Sequence, residues 1–352
     1  MKAVVLREFG DPSVLRFEEI PTPNPQPGEV LIKVRNVSVN VTLDILLRKG
    51  LYPRKPPFPH VLGVDPTGEV AALGDGVTSH KVGDRVSVHT SLRSPQCVPG
   101  QESRDPGPDE MIGIHRWGGY AEFVAVPAEN AFKIPDVLSF EEANVIMRHL
   151  PTARHLLHCD AGLQPGEWVL VMGASGGLAS MCIQVAKRMG ATVIGAAGSD
   201  DRVATGVEFG ADHGINYRTQ GLAEEVRKLT GGKGVEVVAE NIGDPDLWPG
   251  AFDSLAKQGR LVTAGAHGGG QVTLNLQSMY LRRITIMGDP GCDFPDIDWA
   301  MEQAADGSIR TPLVDRVLPL HEAAEAHRLI ESRDIAGKIL LDPVASASVS
   351  TN

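Results

Sequence analysis

Cysteine is scarce in this chain, and none of it falls in a paired motif. The four residues, Cys97, Cys159, Cys182 and Cys292, are scattered over 352 positions, which argues against a disulfide framework. No apolar run approaches a membrane span, and the opening MKAVVLREFG reads as a charged strand and not as a signal peptide. Positive charge is in deficit too. A formal net charge of −11 argues against nucleic acid or an anionic membrane as the main partner, although it does not exclude a local basic pocket. These absences lead to the expectation of a cytoplasmic enzyme. The rest, 42% hydrophobic and 22% charged residues, suits a soluble globular protein with room for two domains of ordinary size.

What is present is organised around Val169 to Arg202, VLVMGASGGLASMCIQVAKRMGATVIGAAGSDDR. Val169 to Met172 is a short apolar run of the kind buried on both faces of a sheet. Gly173, Gly176 and Gly177 follow at once, and then Leu178, Cys182, Val185 and Met189 recur at helical spacing. Gly190 stops that helix and Thr192 to Ala196 reads as a second strand. The result is a βαβ unit with glycines at a helix N-terminus, where free N–H groups and the helix dipole favour a pyrophosphate. The G-x-G-x-x-G fingerprint is imperfect, with Ala174, Gly176 and Ala179 in its three glycine positions.

The end of the second strand bears on cofactor choice. The acid that bonds the ribose 2′-hydroxyl in NAD sites would fall near Ala197, which carries no charge to repel a 2′-phosphate. Ser199 and Arg202 follow, a hydroxyl and a guanidinium able to bind phosphate oxygens. Asp200 and Asp201 count against this unless they face solvent from a turn. The expected cofactor is NADP(H).

Before this unit the text is rich in short strands and turns: Met1 to Leu6, Val30 to Val34, Glu69 to Leu73 and Arg85 to Val88, with one short helix at Thr42 to Arg48. Ser139 and Glu142 form a capping box for a helix to about His149, and Pro151 is expected to start a second helix that Gly162 ends. From Glu167 to Gly288 strands and helices alternate, which predicts a doubly wound parallel sheet. Elements beyond Pro290 exceed what that sheet needs and can return to the first domain. The expected division is 1–126 with 291–343 as a β-rich domain, 127–290 as the nucleotide domain, and 344–352 as a disordered tail.

At this point the chain resembles the medium-chain dehydrogenase/reductase superfamily, and within it the zinc-free quinone oxidoreductase-like members. The resemblance rests on MKAVVLREFGDPSVL, PGEVLIKV, GEVAALGDGVTSHKVGDRV, GGYAEFVAVPAENAFKIPD, GLQPGEWVLVMGASGGLAS, GADHGINYR, GRLVTAG and EAAEAHRLIESRDIAGKILL, in family order along nearly the whole chain. It implies an α/β protein: a GroES-like catalytic domain, an inserted Rossmann domain and a cofactor cleft between them. Zinc-dependent relatives hold a catalytic metal at positions that match Val41, Val64 with Asp65, and Val145. Valine has no lone pair to offer a metal, and one carboxylate cannot hold a tetrahedral zinc. The positions of the structural-zinc cysteines read Ser91, Ser94, Cys97 and Asp105, so no metal is expected there either, and residues 90–116 read as a long loop.

Without a Lewis acid, alcohol oxidation is hard, and the resemblance implies hydride transfer from NADPH to an activated double bond of a quinone, enone or enoyl compound. Tyr52, Asn40, Thr42, Arg148 and His149 are the candidate substrate-side residues. Tyr52 in RKGLYP is set against the alternative of a half-buried aromatic, and Asp44 is expected to hold the loop and not to act as a base. Arg148, His149 and Arg154 in MRHLPTAR stand where relatives carry small or apolar residues, and would suit an anionic or carbonyl oxygen. A solvated helix face, or charges binding the cofactor phosphate, is the alternative. Candidate cofactor residues are Thr152, Ser175, Gly176, Gly177, Leu178, Ser199, Arg202, Tyr217, Asn241, Gly265, Ala266, His267 and Lys338. The small-molecule substrate is a carbonyl compound or quinone, and a homodimer is expected through the strand Ile284 to Met287. A zinc-free alcohol or ketone dehydrogenase, or a silent NADP-binding protein, stays open.

Overall fold

The computed structural model describes residues 1–92, 110–332, 335 and 337–344. The expected tail from 345 onward, and Ser94, Cys97 and Asp105, lie outside the described residues. The chain divides into two compact units, 1–148 with 313–352, and 149–312. Both boundaries come later in the chain than the expected 126 and 291, for local reasons. In the first unit, Asn144 Nδ2 donates to the Asp65 carbonyl at 2.6 Å and Thr67 Oγ1 to the Phe140 carbonyl, so the start of the 140s helix belongs there. In the second unit, Asp296 on the helix Phe294–Ala305 takes Arg154 and His155 as partners.

The first unit is built on a long strand, Glu29–Ser38, that neighbours Thr67–Leu73, Phe123–Pro127 and the C-terminal Lys338–Asp342. The seven-stranded sheet continues through Arg85–Val88 to Ala131–Lys133 on one side and to Val314–Pro319 on the other. The pairs Leu340 with Ser38 and Leu341 with Val37 bring the C-terminal segment back to this unit. Alternation along the long strand sends Val30, Ile32 and Val34 to a core with Val70, Val86, Val124 and Val126. Further along, Val37 and Val39 join Val4, Leu6, Leu62, Ile339 and Leu341 in a second core. Each such fully buried aliphatic contributes about 1.5–3 kcal/mol.

The second unit holds a six-stranded parallel sheet in the order His213–Asn216, Thr192–Ala197, Trp168–Met172, Val235–Ala239, Leu255–Thr263, Thr285–Gly288. The chain direction of strand addition reverses beside Trp168–Met172, the place where open α/β sheets bind ligands at their carboxyl ends. Helices of this unit cover Gly177–Arg188, Asp200–Glu208, Leu222–Leu229, Trp248–Asp253, Leu276–Arg282 and Phe294–Ala305. No helix among the described residues is long and apolar enough to cross a membrane.

Two expectations need correction. The Ser139–Glu142 capping box forms, with bonds of 2.9 and 3.1 Å, but the helix does not break near His149. It runs without interruption from Phe140 to Arg154 with a buried Pro151 inside, and continues as a wider helical turn through His155–Asp160. Packing of Leu150, Ala153, Leu156 and Leu157, all fully buried, outweighs the hydrogen bond that proline forfeits. Asp200 and Asp201 are not in a turn either: they open the helix Asp200–Glu208, as acids in its first turn, where the dipole favours them.

Candidate active site

In the second unit the first strand ends at Gly173, whose φ of +71° only glycine adopts without strain. Gly176 N donates back to the Gly173 carbonyl at 2.7 Å, closing a tight turn into the helix Gly177–Arg188. Gly176 is the N-cap and no side chain caps the helix, which leaves its first N–H groups without a capping partner, as an anion site requires. The alanine in the fingerprint's first position is accommodated elsewhere: a β-carbon on Gly206 would stand 2.7 Å from the Ala174 methyl, and one on Gly195 3.2 Å from it. Glycine on the neighbouring helix and strand provides the space that the turn's own glycine otherwise would.

At the end of the second strand, a β-carbon on Gly198 would lie 3.1 Å from the Tyr217 hydroxyl and 3.3 Å from Arg218 Nε. Burial pushes the Tyr217 hydroxyl above its usual range, against the pull of the nearby Arg218 and Arg202 charges. Two guanidiniums and a phenol therefore gather here. Asp200 is withdrawn from them in part, since its Oδ1 accepts from Asn216 Nδ2 at 2.7 Å. Arg218 was not among the expected residues; its place directly after Tyr217 in INYR was the available signal. At the end of the fourth strand, Asn241 Oδ1 accepts from Ala264 N at 2.9 Å, while its buried Nδ2 has no partner. That orphaned donor, beside Gly265, suits a ligand carbonyl or hydroxyl. Ala266 and His267 follow on an exposed loop, and Thr152 is buried in its helix.

In the first unit a polar cluster is buried where the long strand ends. Asp65 Oδ1 accepts from Ser38 N at 3.0 Å, and Oδ2 from Ser38 Oγ at 2.5 Å and Asn40 Nδ2 at 3.1 Å. Asp44 accepts from Asn40 N at 2.9 Å and from Gly63 N at 3.0 Å. Burial, reinforced by the charge of Asp65, pushes Asp44 up to about 7. Lys338 Nζ donates to Asn40 Oδ1 at 3.3 Å, and desolvation lowers its pKa to about 8. Arg148 Nε stands 3.8 Å from Asp65 Oδ2. Asn40 is thus spent on its neighbours on every side. Tyr52 packs partly buried against the apolar core beneath, and Thr42 is half-buried on the turn Val41–Ile45.

Matches to known proteins run along both units. Residues 26–136 match the alcohol dehydrogenase GroES-like domain, and residues 177–306 match the zinc-binding dehydrogenase family. The NAD-dependent alcohol dehydrogenase of Sulfolobus acidocaldarius is 33% identical, across 97% of this chain and 99% of the relative. A quinone oxidoreductase of Pseudomonas aeruginosa is 31% identical and a 2-haloacrylate reductase of a Burkholderia species 30% identical, each over 97% of this chain and 99% of the relative. Among solved structures, mycobacterial Rv1454c complexed with NADPH superposes with a TM-score of 0.80 at 29% identity, over 97% of this chain and all of that one. This chain belongs to the medium-chain dehydrogenase/reductase family.

Within that family the chain is an oxidoreductase with a nicotinamide dinucleotide site, and the second unit fits such a cofactor by its turn and its orphaned Asn241 amide. At the positions that the resemblance matches to catalytic-zinc ligands, the first unit offers little to bind a metal. Val64 and Val145 are fully buried hydrocarbon and Val41 is 46% exposed; Asp65 already has three hydrogen-bond donors and a cation. The structure also separates two neighbours that the sequence grouped. Arg148 joins Asp65 in the first unit, whereas His149 lies against Gly177 in the second, where a β-carbon would fall 2.6 Å from its Nε2. Lys338, expected at the cofactor, is bonded to Asn40. Arg154 is occupied by Asp296.

A second polar cluster consists of two triads that share His155, one with Cys159 and Asp296 and one with Asp160 and Asp289, each close enough to hold a metal ion. Bonds to Asp289 and Asp296 push His155 up to about 11, and a protonated imidazole has no lone pair for a metal. This cluster is read as an ion-pair lock.

Proposed function

We propose that this enzyme uses NADPH to reduce the activated carbon–carbon double bond of a quinone, enone or enoyl compound without a metal ion. The observation that carries the reading is the donor set of the first unit. The positions that hold zinc in metal-dependent relatives are hydrocarbon, and the one carboxylate among them is hydrogen-bonded by Ser38 and Asn40. Polarising a saturated ketone or an alcohol then lacks its usual agent, whereas an activated double bond needs only hydrogen-bond donors for the developing enolate. The bound nicotinamide supplies the hydride.

The chain's own residues are assigned as follows. Ser175 to Leu178 hold the pyrophosphate by backbone N–H groups, Asn241 Nδ2 and the Gly265–His267 loop position the nicotinamide half, and Thr152 supports it. Ser199, Arg202, Tyr217 and Arg218 bind the 2′-phosphate, which favours NADP(H) over NAD(H). Lys338 and Tyr52 offer protons on the substrate side. A homodimer is part of this reading. Thr285–Gly288 is a sheet edge, and Leu276, Tyr280 and Leu281, all more than 60% exposed, project from the helix just before it; a monomeric mass in light scattering would refute it.

The second reading is an alcohol or ketone dehydrogenase, favoured by the likeness to the NAD-dependent alcohol dehydrogenase of Sulfolobus acidocaldarius. Nucleotide oxidation against paired substrates, each enone beside its saturated ketone, separates the two. Enone-selective turnover that survives a chelator supports double-bond reduction; ketone turnover, or activity lost to chelator, overturns it.

A further inference from the structure

We propose that Arg148 is a specificity residue that binds a carboxylate on the substrate, so that the preferred substrates are α,β-unsaturated acids. The inference rests on the double-bond reduction proposed above and adds the substrate class. Arg148 stands on the helix Phe140–Arg154 one turn beyond Val145, so both share a helix face. Its guanidinium comes no closer than 3.8 Å to Asp65, beyond hydrogen-bond reach. Its Nε is buried without a partner, and Arg148 donates no hydrogen bond among the described residues.

Asp65 does not need this arginine for its own satisfaction, because Ser38 N, Ser38 Oγ and Asn40 Nδ2 already serve its two oxygens. Nor does the cluster need it for neutrality. Lys338 faces the same carboxylate, and Asp44 is largely protonated below neutral pH. Arg148 is thus a second cation beside a carboxylate that Lys338 already faces. A buried Nε–H without an acceptor is costly unless something fills it. Arg148 is 21% exposed at its side chain, and the exposed Val41 and half-buried Thr42 belong to the same end of the long strand. A planar carboxylate is the ligand whose geometry matches a guanidinium fork.

The test compares but-2-enoate with its methyl ester in NADPH oxidation by the full chain, as wild type and as Arg148→Lys, Arg148→Gln and Asp65→Asn. Binding of butyrate to the NADPH complex, read by quenching of cofactor fluorescence, accompanies it. The expected wild-type KM is at least tenfold lower for the acid than for the ester. Arg148→Gln raises the acid KM at least tenfold and leaves the ester within twofold, with Arg148→Lys between. Asp65→Asn, which frees the cation, tightens butyrate binding. Equal changes for acid and ester in Arg148→Gln, or no acid preference in the wild type, overturn the proposal. Should neither compound turn over while butyrate still binds in an Arg148-dependent way, the reductase reading fails and the carboxylate site stands.

Discussion

The imidazole of His149 lies over Gly177, so close that a β-carbon on the glycine would come within 2.6 Å of Nε2. The glycine that opens the nucleotide-binding helix is therefore required by a side chain of its own unit as well as by any pyrophosphate. Gly177→Ala should displace the ring or the turn. Overpacking of this kind costs about 1–3 kcal/mol, and NADPH affinity should fall about tenfold. In a His149→Ala background the same substitution has room, so its cost in stability should largely vanish. A double-mutant cycle with urea unfolding measures the coupling; additive effects would show that the ring and the turn do not compete.

Cofactor choice is predicted to rest on Arg202 and Arg218. Hydrogen bonds to charged groups contribute about 1.5–3 kcal/mol, so Arg218→Ala should weaken NADPH binding about tenfold or more and leave NADH nearly unchanged. Arg202→Ala should act in the same direction, since both guanidiniums are exposed beside Tyr217. Fluorescence titration with both nucleotides decides it. Equal losses for NADPH and NADH would remove the 2′-phosphate from the argument.

The nucleotide-binding unit was the more legible half of the sequence because its signals are local. Apolar runs such as Val169–Met172 and Val235–Ala239, punctuated by glycine, give strands directly, and their alternation with helices gives a parallel sheet. The helix Asp200–Glu208 escaped because it buries only Gly206, so it carries no apolar stripe to read. The substrate-side cluster was less legible for a different reason. Ser38, Asp65 and the pair Asn144 and Arg148 come from three distant stretches of the sequence and meet only because the long strand, the segment at 65 and the 140s helix pack together. The spacing MRHL gave no indication that Arg148 and His149 would part company.

The lock around His155 makes stability depend on pH with a definite sign. Its pKa is raised from 6.5 to about 11 by Asp289 and Asp296. A group raised in the folded state contributes its full stability below the unfolded value and loses it as pH climbs through the folded one. The difference in unfolding free energy between wild type and His155→Gln should therefore be largest near pH 6 and shrink between about pH 7 and 11. Asp296→Ala should cost more than His155→Gln, about 3–5 kcal/mol, because it strands the Arg154 charge and leaves His155 to Asp289 and Asp160. Urea titrations at several pH values check both. A difference that stays flat between about pH 7 and 11 would mean that His155 is not held protonated in the folded protein.

Arg48 offers the contrary case, a buried charge that the fold can do without. Its side chain is fully buried and bonds Glu331 Oε1 at 2.9 Å, while Nε and Nη1 have no partner. Burial first, and the Arg48 charge second, hold the neighbouring His327 down to about 3, so that histidine stays neutral and pairs with the Tyr120 hydroxyl at 3.1 Å. Removing Glu331 alone leaves an uncompensated interior cation, and Glu331→Ala should cost about 3–5 kcal/mol. Removing the cation takes away an ion pair with two unmet donors, so Arg48→Met should be close to neutral or stabilising by about 1–4 kcal/mol. The second substitution should also rescue the first, since Glu331 lies partly exposed and can be solvated once its partner is gone. Thermal unfolding of the two single variants and the double variant orders them. A double variant no more stable than Glu331→Ala would place the cost in lost packing of the helix that carries Glu331, and not in the stranded charge.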